Sequence, residues 1–159
     1  MLFRSPEIDA FDSAGHKKRM GMILVESGIM TEEQLKVILG EQKTDTQRRF
    51  ESFVVEQGYA SEEIVARILA AQSRLPFLEL GPNAVDPEAA GSISAHLAGL
   101  HRCIPVRFED GRLVVAMANP LDLIALEDIE LVAKCPVVPV VTAPQRIDEA
   151  IAPFFAAVV

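Results

Sequence analysis

The chain has 159 residues, half of them hydrophobic, and a formal net charge of −8. This length suits one compact domain or two small subdomains with a sizeable core. The negative charge argues against binding of a nucleic-acid polymer, which needs a basic face. No apolar run reaches the roughly 18–20 residues of a membrane span, and Met1–Arg19 has no apolar signal-peptide core. We therefore expect a cytoplasmic protein without membrane insertion.

Three segments follow one another along the chain. Residues 1–16 have no sustained periodicity and are predicted to form a flexible N-terminal arm. Residues 17–74 are predicted to form a helical subdomain, and residues 75–159 a small α/β subdomain. The charge is uneven: residues 1–75 carry 10 basic and 12 acidic residues, whereas residues 76–159 carry 5 and 11.

The helical segment contains two copies of one sequence unit, Arg19–Gln42 and Arg49–Gln72, which align without a gap at an offset of thirty residues. Identical pairs include Arg19/Arg49, Val25/Val55, Glu26/Glu56, Gly28/Gly58, Glu32/Glu62, Glu33/Glu63, Leu39/Leu69 and Gln42/Gln72. So many matches in 24 aligned positions indicate a tandem repeat rather than chance.

Each copy is predicted to form two helices joined by a turn. Gly28 suits the left-handed residue that ends a helix, and Thr31 suits the N-cap of the next one, with Gln34 at the capping-box position. Ser61 holds the N-cap place in the second copy. The apolar spacing predicts that the second helices bury these residues: Leu35, Ile38, Leu39, Ile64, Ile68 and Leu69.

The second half of the chain alternates between strand and helix patterns. Residues 75–80 suggest an edge strand and residues 86–97 a helix. Asp110-Gly111 lies between two β-rich runs and predicts a hairpin. Asn119 is predicted to cap a helix that runs to about residue 133, followed by a strand at 136–141 and a last helix from about 142. The fold class is therefore α+β: a four-helix tandem repeat packed on a small α/β subdomain with a β-hairpin and one or two further strands.

Sequence motifs for catalysis and metal binding are absent. Cys103 and Cys135 have no zinc-ligand spacing, and we expect two reduced, largely buried thiols. The chain contains no G-x-x-x-x-G-K-[ST] phosphate loop and none of the common nucleophile or zinc-protease motifs. We therefore expect a non-enzymatic protein with no catalytic residues, metal site or cofactor.

The tandem R-[LM]-G-x-x-[LIV]-V-x-x-G…L-x-x-Q unit resembles the N-terminal domain of type II secretion and type IV pilus assembly ATPases. The LPF segment, the D-P-E-A helix, the GRLVVAMA hairpin and the N-P-L-D-L segment are also similar to that family, so the resemblance covers about residues 17–155. It implies a regulatory or docking module without the ATPase motor, whose partner is a cytoplasmic protein of a secretion, pilus or motility system.

The resemblance also implies a ligand, because some members of the family bind cyclic di-GMP through the two repeats. An Arg guanidinium matches the O6 and N7 acceptors of guanine with two parallel bonds, and a glycine at a helix start permits close approach of a phosphate. The predicted ligand-binding residues are Arg19, Met20, Gly21, Leu24, Val25, Gln42, Arg49, Phe50, Val54, Val55, Gln72 and Asn119.

The repeat departs from the family pattern at three places. Glu51 stands where the family has glycine, and it adds a negative charge near the expected phosphate. Asn119 occupies a motif that is often Ala-Asp-Pro, and the linker Lys43–Arg48 has six residues where cyclic di-GMP-binding members usually have five.

Two alternatives to a cyclic di-GMP sensor stay open. The first is a nucleotide-independent docking module, in which the repeats are only structural. The second is a fragment of a longer ATPase. The arginines and glutamines also have plainer interpretations, as solvated helix-start residues and helix-end caps, and the apolar repeat positions are more often core than ligand lining.

Overall fold

The computed structural model describes residues 20–45, 48–81 and 83–155, with side chains described as far as residue 152. The predicted N-terminal arm, 1–16, and Arg19 lie outside these residues. Over the described part of the chain, the contacts divide into two compact units, Met1–Ser61 and Glu62–Val159. This division lies inside the second repeat copy, whereas the sequence suggested a boundary after residue 74; that boundary stays a prediction.

Unit 1 contains three helices in its described residues. These are α1 (20–26), α2 (Glu32–Thr44) and α3 (Phe50–Glu56). The predicted capping box is confirmed at the start of α2, where the Thr31 side chain accepts a hydrogen bond from the Gln34 backbone N–H and the Gln34 side chain accepts one from the Thr31 N–H.

Both repeat copies end their first helix with the same hydrogen-bonded turn. After α1, the Gly28 N–H donates to Val25 O at 3.0 Å and the Ile29 N–H to Leu24 O at 2.9 Å. After α3, the bonds from Gly58 to Val55 O and from Tyr59 to Val54 O measure 3.0 and 3.1 Å. This is the Schellman pattern, whose left-handed residue is best supplied by glycine. Gly28 and Gly58 have φ values of +78° and +81°, so the sequence repeat is also a repeat of backbone structure.

Unit 2 contains five helices and three strands in its described residues. In chain order they are α4 (Glu62–Ser73), α5 (Pro87–Ala90), α6 (Ala95–His101), β1 (Cys103–Glu109), β2 (Arg112–Met117), α7 (Leu123–Ala133), β3 (Val137–Val141) and α8 (Pro144–Phe155). β1 and β2 are antiparallel, and β2 pairs with β3 in parallel. The α+β class predicted from the sequence is confirmed.

The sheet of unit 2 is buried on both faces. Ile104 and Val106 of β1 belong to one apolar cluster with Ile147 of α8. Leu113, Val115 and Met117 of β2 belong to a second cluster with Ala125 and Ile129 of α7. Since side chains alternate between the faces of a strand, the near-continuous apolar run of β2 is the pattern expected of a central strand covered on both sides.

The predicted hairpin turn is confirmed. Asp110 and Gly111 connect β1 to β2, and both have positive φ values, +53° and +76°. Two consecutive residues in the left-handed region define the turn that matches the twist of a hairpin, and Asp-Gly is one of the pairs that favour it.

Four local predictions are corrected. Residues 86–97 form two short helices rather than one, because Gly91 ends α5 and Ser94 caps α6. Asn119 does not cap α7: its Oδ1 accepts from the Leu121 N–H in a turn, and Asp122 is the N-cap. Residues 75–80 contribute one bridge to β3, at Phe77, rather than a strand. Ile64 is exposed.

The two cysteines are free thiols. Cys103 is buried at the start of β1 and Cys135 is half-buried. Burial, with a smaller contribution from the nearby Asp122 carboxylate, raises the pKa of the Cys103 thiol to about 12. The thiol is therefore neutral near neutral pH and belongs to the apolar cluster of β2.

Candidate ligand site in the tandem repeat

The apolar residues predicted to line a ligand are core residues in the described part of unit 1. Met20 and Leu24 of α1 are fully buried, at 0% exposure, and so are their repeat equivalents Phe50 and Val54 of α3. Val25 and Val55 are half-buried at equivalent places. The four fully buried residues therefore stabilise the core of unit 1. Of these apolar residues, only Val25 and Val55 keep part of their surface accessible to a ligand.

The glycine predicted to admit a phosphate packs against a side chain. A Cβ built on Gly21 would lie 2.6 Å from Leu35 Cδ1 and 3.0 Å from Leu35 Cδ2. The missing side chain of Gly21 therefore lets α2 approach α1 at this point, and this packing role exists with or without a ligand.

Arg49 lies at the N-cap of α3, where its side chain makes no capping hydrogen bond. Its guanidinium forms an ion pair with the Glu51 carboxylate. The Arg49 side chain is 40% exposed, whereas that of Glu51 is 11% exposed. The carboxylate lies in the first turn of α3, where the helix dipole favours a negative charge. Glu51 therefore occupies the position equivalent to Gly21 with a nearly buried acid that engages the arginine.

The neighbouring Arg48 side chain also contacts other residues of the second copy. Its guanidinium forms an ion pair with Glu56 and lies 4.3 Å from the centroid of the Phe53 ring. Both partners lie on α3, and Arg48 directly precedes the second copy. The two contacts therefore hold the residue before the second copy against α3.

The two repeat glutamines have different surroundings. Gln42 is buried and its Nε2 donates to the Arg48 backbone oxygen at 3.1 Å, which ties α2 to the residues before α3. In unit 2, both amide atoms of Gln72 are buried, and among the described residues neither has a hydrogen-bond partner. An unpaired buried amide is costly, so Gln72 is the predicted site residue with unused polar capacity.

The other predicted residue of unit 2 is Asn119. Its side-chain oxygen accepts from the Leu121 N–H at 3.1 Å and organises the turn before α7. This contact assigns Asn119 a local structural role. Arg19 lies outside the described residues, so its predicted guanine contact has no structural description.

Unit 2 also contains a groove that the sequence did not reveal. It has a volume of about 390 Å³ and is lined partly by Phe77, Thr142 and Arg146. Thr142 is buried, and its hydroxyl has no hydrogen-bond partner among the described residues. Phe77 lies under the Arg67 guanidinium at 4.3 Å. These residues are far apart in the sequence and carry no motif, which is why sequence reasoning missed them.

No group of three or more His, Cys, Asp and Glu side chains is arranged to hold a metal ion in the described ranges. Within the same ranges, no helix has the length and apolar character needed to cross a membrane.

Known proteins resemble this chain in sequence. It is 29% identical over 115 residues to the type IV pilus assembly ATPase PilB of Thermus thermophilus, which is 71% of this chain and 13% of that protein. It is 26% identical over 138 residues to PilB of Myxococcus xanthus, which is 87% of this chain and 24% of that protein. The chain therefore spans at most a quarter of the length of these relatives.

Solved structures share the fold. A structure of MshE with cdg is 28% identical, with a TM-score of 0.73 over 86% of this chain and 98% of that one. Two crystal forms of the N-terminal domain of XpsE, at 22% and 23% identity, have TM-scores of 0.58 and 0.69 over 98% of this chain and nearly all of theirs.

The family model of the MshEN domain matches residues 73–158, more than half of the chain. This match agrees with the fold likeness to MshE and XpsE and with the sequence likeness to PilB, and it confirms the resemblance first read from the tandem repeat. The chain belongs to the MshEN domain family, the N-terminal domain type of type II secretion and type IV pilus assembly ATPases.

Proposed function

We propose that this chain is a regulatory domain that binds cyclic di-GMP through its tandem repeats and relays binding to a cytoplasmic protein of a secretion, pilus or motility system. The observation that carries the proposal is the likeness to the structure of MshE with cdg, which we take to be cyclic di-GMP, at 28% identity over 86% of the chain. The turn geometry that the two copies share also supports the proposal, because a ligand with two equivalent halves suits two equivalent repeat copies.

Arg49 is the described residue best suited to a guanine. Its guanidinium is partly exposed, and its planar fork offers two parallel donors to the O6 and N7 acceptors of the base. Glu51 competes for the same donors, so guanine binding must displace or share that carboxylate. The repeat equivalence assigns the matching guanine contact to Arg19.

Gln72 supports the proposal from its own unit. A ligand polar edge within reach would satisfy an amide that has no hydrogen-bond partner among the described residues, and satisfying a buried donor or acceptor recovers about 1–3 kcal/mol. The Nε2 atom of Gln42 does not have this unused capacity, because it already donates to the Arg48 carbonyl.

The proposal is tested by calorimetric titration of the chain with cyclic di-GMP. We expect saturable binding that Arg49→Ala weakens by about tenfold or more, since a charge-assisted bidentate contact is worth about 1.5–3 kcal/mol. Arg112→Ala is the matched control, because Arg112 is an exposed arginine at the start of β2, and it should leave binding unchanged. Absence of heat and of a thermal shift at high micromolar ligand would remove cyclic di-GMP from the proposal.

A second candidate function is nucleotide-independent docking, and one observation favours it. Arg49 already has a carboxylate partner in Glu51, so the second copy is complete as a structural element without a ligand. This candidate predicts that binding to a secretion or pilus protein survives removal of all nucleotide and survives Arg19→Ala combined with Arg49→Ala. Loss of partner binding in that double variant, with the fold intact by circular dichroism, would exclude it.

A further inference from the structure

Helix α7 has an apolar face that points to solvent. Leu123 and Ile124 are each 68% exposed and Leu131 is 78% exposed. On the opposite side of the helix, Ala125 and Ile129 are buried against β2. A surface helix normally carries polar residues on its outer face, so the fold of unit 2 does not explain these three side chains.

The three residues form one stripe along the helix. Ile124 and Leu131 are seven residues apart, which is about two helical turns, and they therefore lie on the same side. Leu123 adjoins Ile124, and Glu127 lies one turn after Leu123 and one turn before Leu131. Contiguous exposed apolar surface rimmed by polar groups is typical of protein interaction sites.

All charged residues of α7 are acidic. Leu123–Ala133 contains Glu127, Asp128 and Glu130 and no basic residue. Asp128 contacts His101 Nε2 at 3.0 Å, and Glu130 accepts from the Val137 N–H at 3.0 Å. Glu127 lies between the apolar residues on the exposed side. The acidic excess of residues 76–159 has the same sign.

We propose that the outer face of α7 binds a basic amphipathic helix of another protein. Leucine-like side chains of such a helix would pack on Leu123, Ile124 and Leu131, and its lysines or arginines would approach Glu127 and the flanking acids. A second copy of this chain fits worse, since a two-fold contact would bring identical acids together. An anionic membrane fits worse for the same electrostatic reason.

This inference assigns a surface to the protein partner of the proposed function and rests on that part of it. It does not require cyclic di-GMP, so its test contains no nucleotide. The probe is a fluorescein-labelled synthetic helix of leucine and lysine, about 18 residues or five turns long, with leucines on one face. Binding is measured by fluorescence anisotropy, and a peptide with glutamate in place of every lysine is the charge control.

We expect the leucine–lysine helix to bind and the leucine–glutamate helix not to bind. The triple variant Leu123→Gln, Ile124→Gln and Leu131→Gln should weaken binding by about tenfold or more, because glutamine keeps helix propensity but removes the apolar contact. Glu127→Lys should also weaken binding, most strongly at low salt. Val37→Gln is the control, because Val37 is also an exposed apolar residue of a helix, at 60% on α2, and this variant should bind the peptide as the unmodified chain does.

Three results would overturn the proposal. The first is equal binding by the triple variant and the unmodified chain. The second is a concentration-dependent dimer, seen by light scattering, that the triple variant abolishes. The third is sedimentation of the chain with vesicles of phosphatidylcholine and phosphatidylglycerol at three to one, lost in the triple variant. The last two results would assign the face to a second copy or to a membrane instead.

Discussion

Helices α1 and α3 are equivalent parts of the two repeat copies, yet the second residue is a glycine in α1 and a glutamate in α3. The backbones agree in the turn that ends each helix, and the buried positions agree at Met20/Phe50 and Leu24/Val54. At the next position, Gly21 packs against Leu35 on α2, whereas Glu51 places a nearly buried carboxylate on Arg49. The repeat therefore preserves the core positions and the turn geometry more strictly than it preserves the residue at the second position of each helix.

The largest expected effect tests whether the two copies share one type of core. Phe50→Ala should destabilise the chain by about 3–5 kcal/mol and Met20→Ala by about 2–5 kcal/mol, because both side chains are fully buried. Urea unfolding followed by circular dichroism measures both. Met22→Ala is the control, because Met22 lies on α1 but is exposed, and its change should stay within about 0.5 kcal/mol. Equal effects of Met22→Ala and Met20→Ala would contradict the burial pattern.

The next effect separates the two repeat glutamines. Gln42→Ala should cost about 1–3 kcal/mol, because it removes the bond to the Arg48 carbonyl in a buried site. Gln72→Leu should leave the free energy of unfolding unchanged or raise it by about 1 kcal/mol, because it removes a buried amide without a hydrogen-bond partner among the described residues.

Urea unfolding measures the free energies of unfolding of the Gln42→Ala and Gln72→Leu variants. A destabilisation of Gln72→Leu as large as that of Gln42→Ala would mean that the Gln72 amide is fully bonded in the unliganded chain. In that case Gln72 would lose its support as a ligand residue.

The smallest stability effect concerns Gly21. Gly21→Ala should destabilise by at most about 1 kcal/mol, because the added methyl group meets the end of the Leu35 side chain, while a shift of that side chain and the better helix propensity of alanine offset part of the cost. Leu35→Ala in the same chain should remove the penalty, and a double-mutant cycle measures that coupling. Strictly additive effects of the two substitutions would show that the close approach of α1 and α2 does not depend on this pair.

The features of the fold that depend on local chemistry could be predicted from the sequence. Gly28 at a helix end, the Thr31–Gln34 capping box and the Asp110-Gly111 hairpin each require particular residue types at particular backbone positions, and each was predicted in place. One of the errors arose where two neighbouring residues offered competing signals. Asn119 and Asp122 are both good N-caps, and the fold uses Asp122.

The candidate site was harder to predict because it depends on contacts between residues distant in the sequence. The family resemblance named Met20 and Phe50 as ligand-binding residues, and the sequence alone could not separate core residues from ligand lining. The packing of Leu35 on Gly21 was not visible from the sequence, and neither were the different partners of Gln42 and Gln72. The sequence did identify Glu51 as the departure from the family pattern, although its ion pair with Arg49 appears only in the structure.

Titration of the Glu51→Gly variant with cyclic di-GMP tests the comparison of the two copies most directly. Glycine restores the residue of the family pattern, removes a negative charge from the place proposed for the ligand phosphates, and frees Arg49 from its ion pair with Glu51. We expect roughly fivefold tighter binding than in the unmodified chain, or about 1 kcal/mol, the upper range for a partly exposed ion pair. Glu51→Gln, which keeps the size of the side chain and removes its charge, should give part of this gain. Unchanged or weaker binding by a correctly folded Glu51→Gly variant would show that Glu51 does not oppose cyclic di-GMP binding.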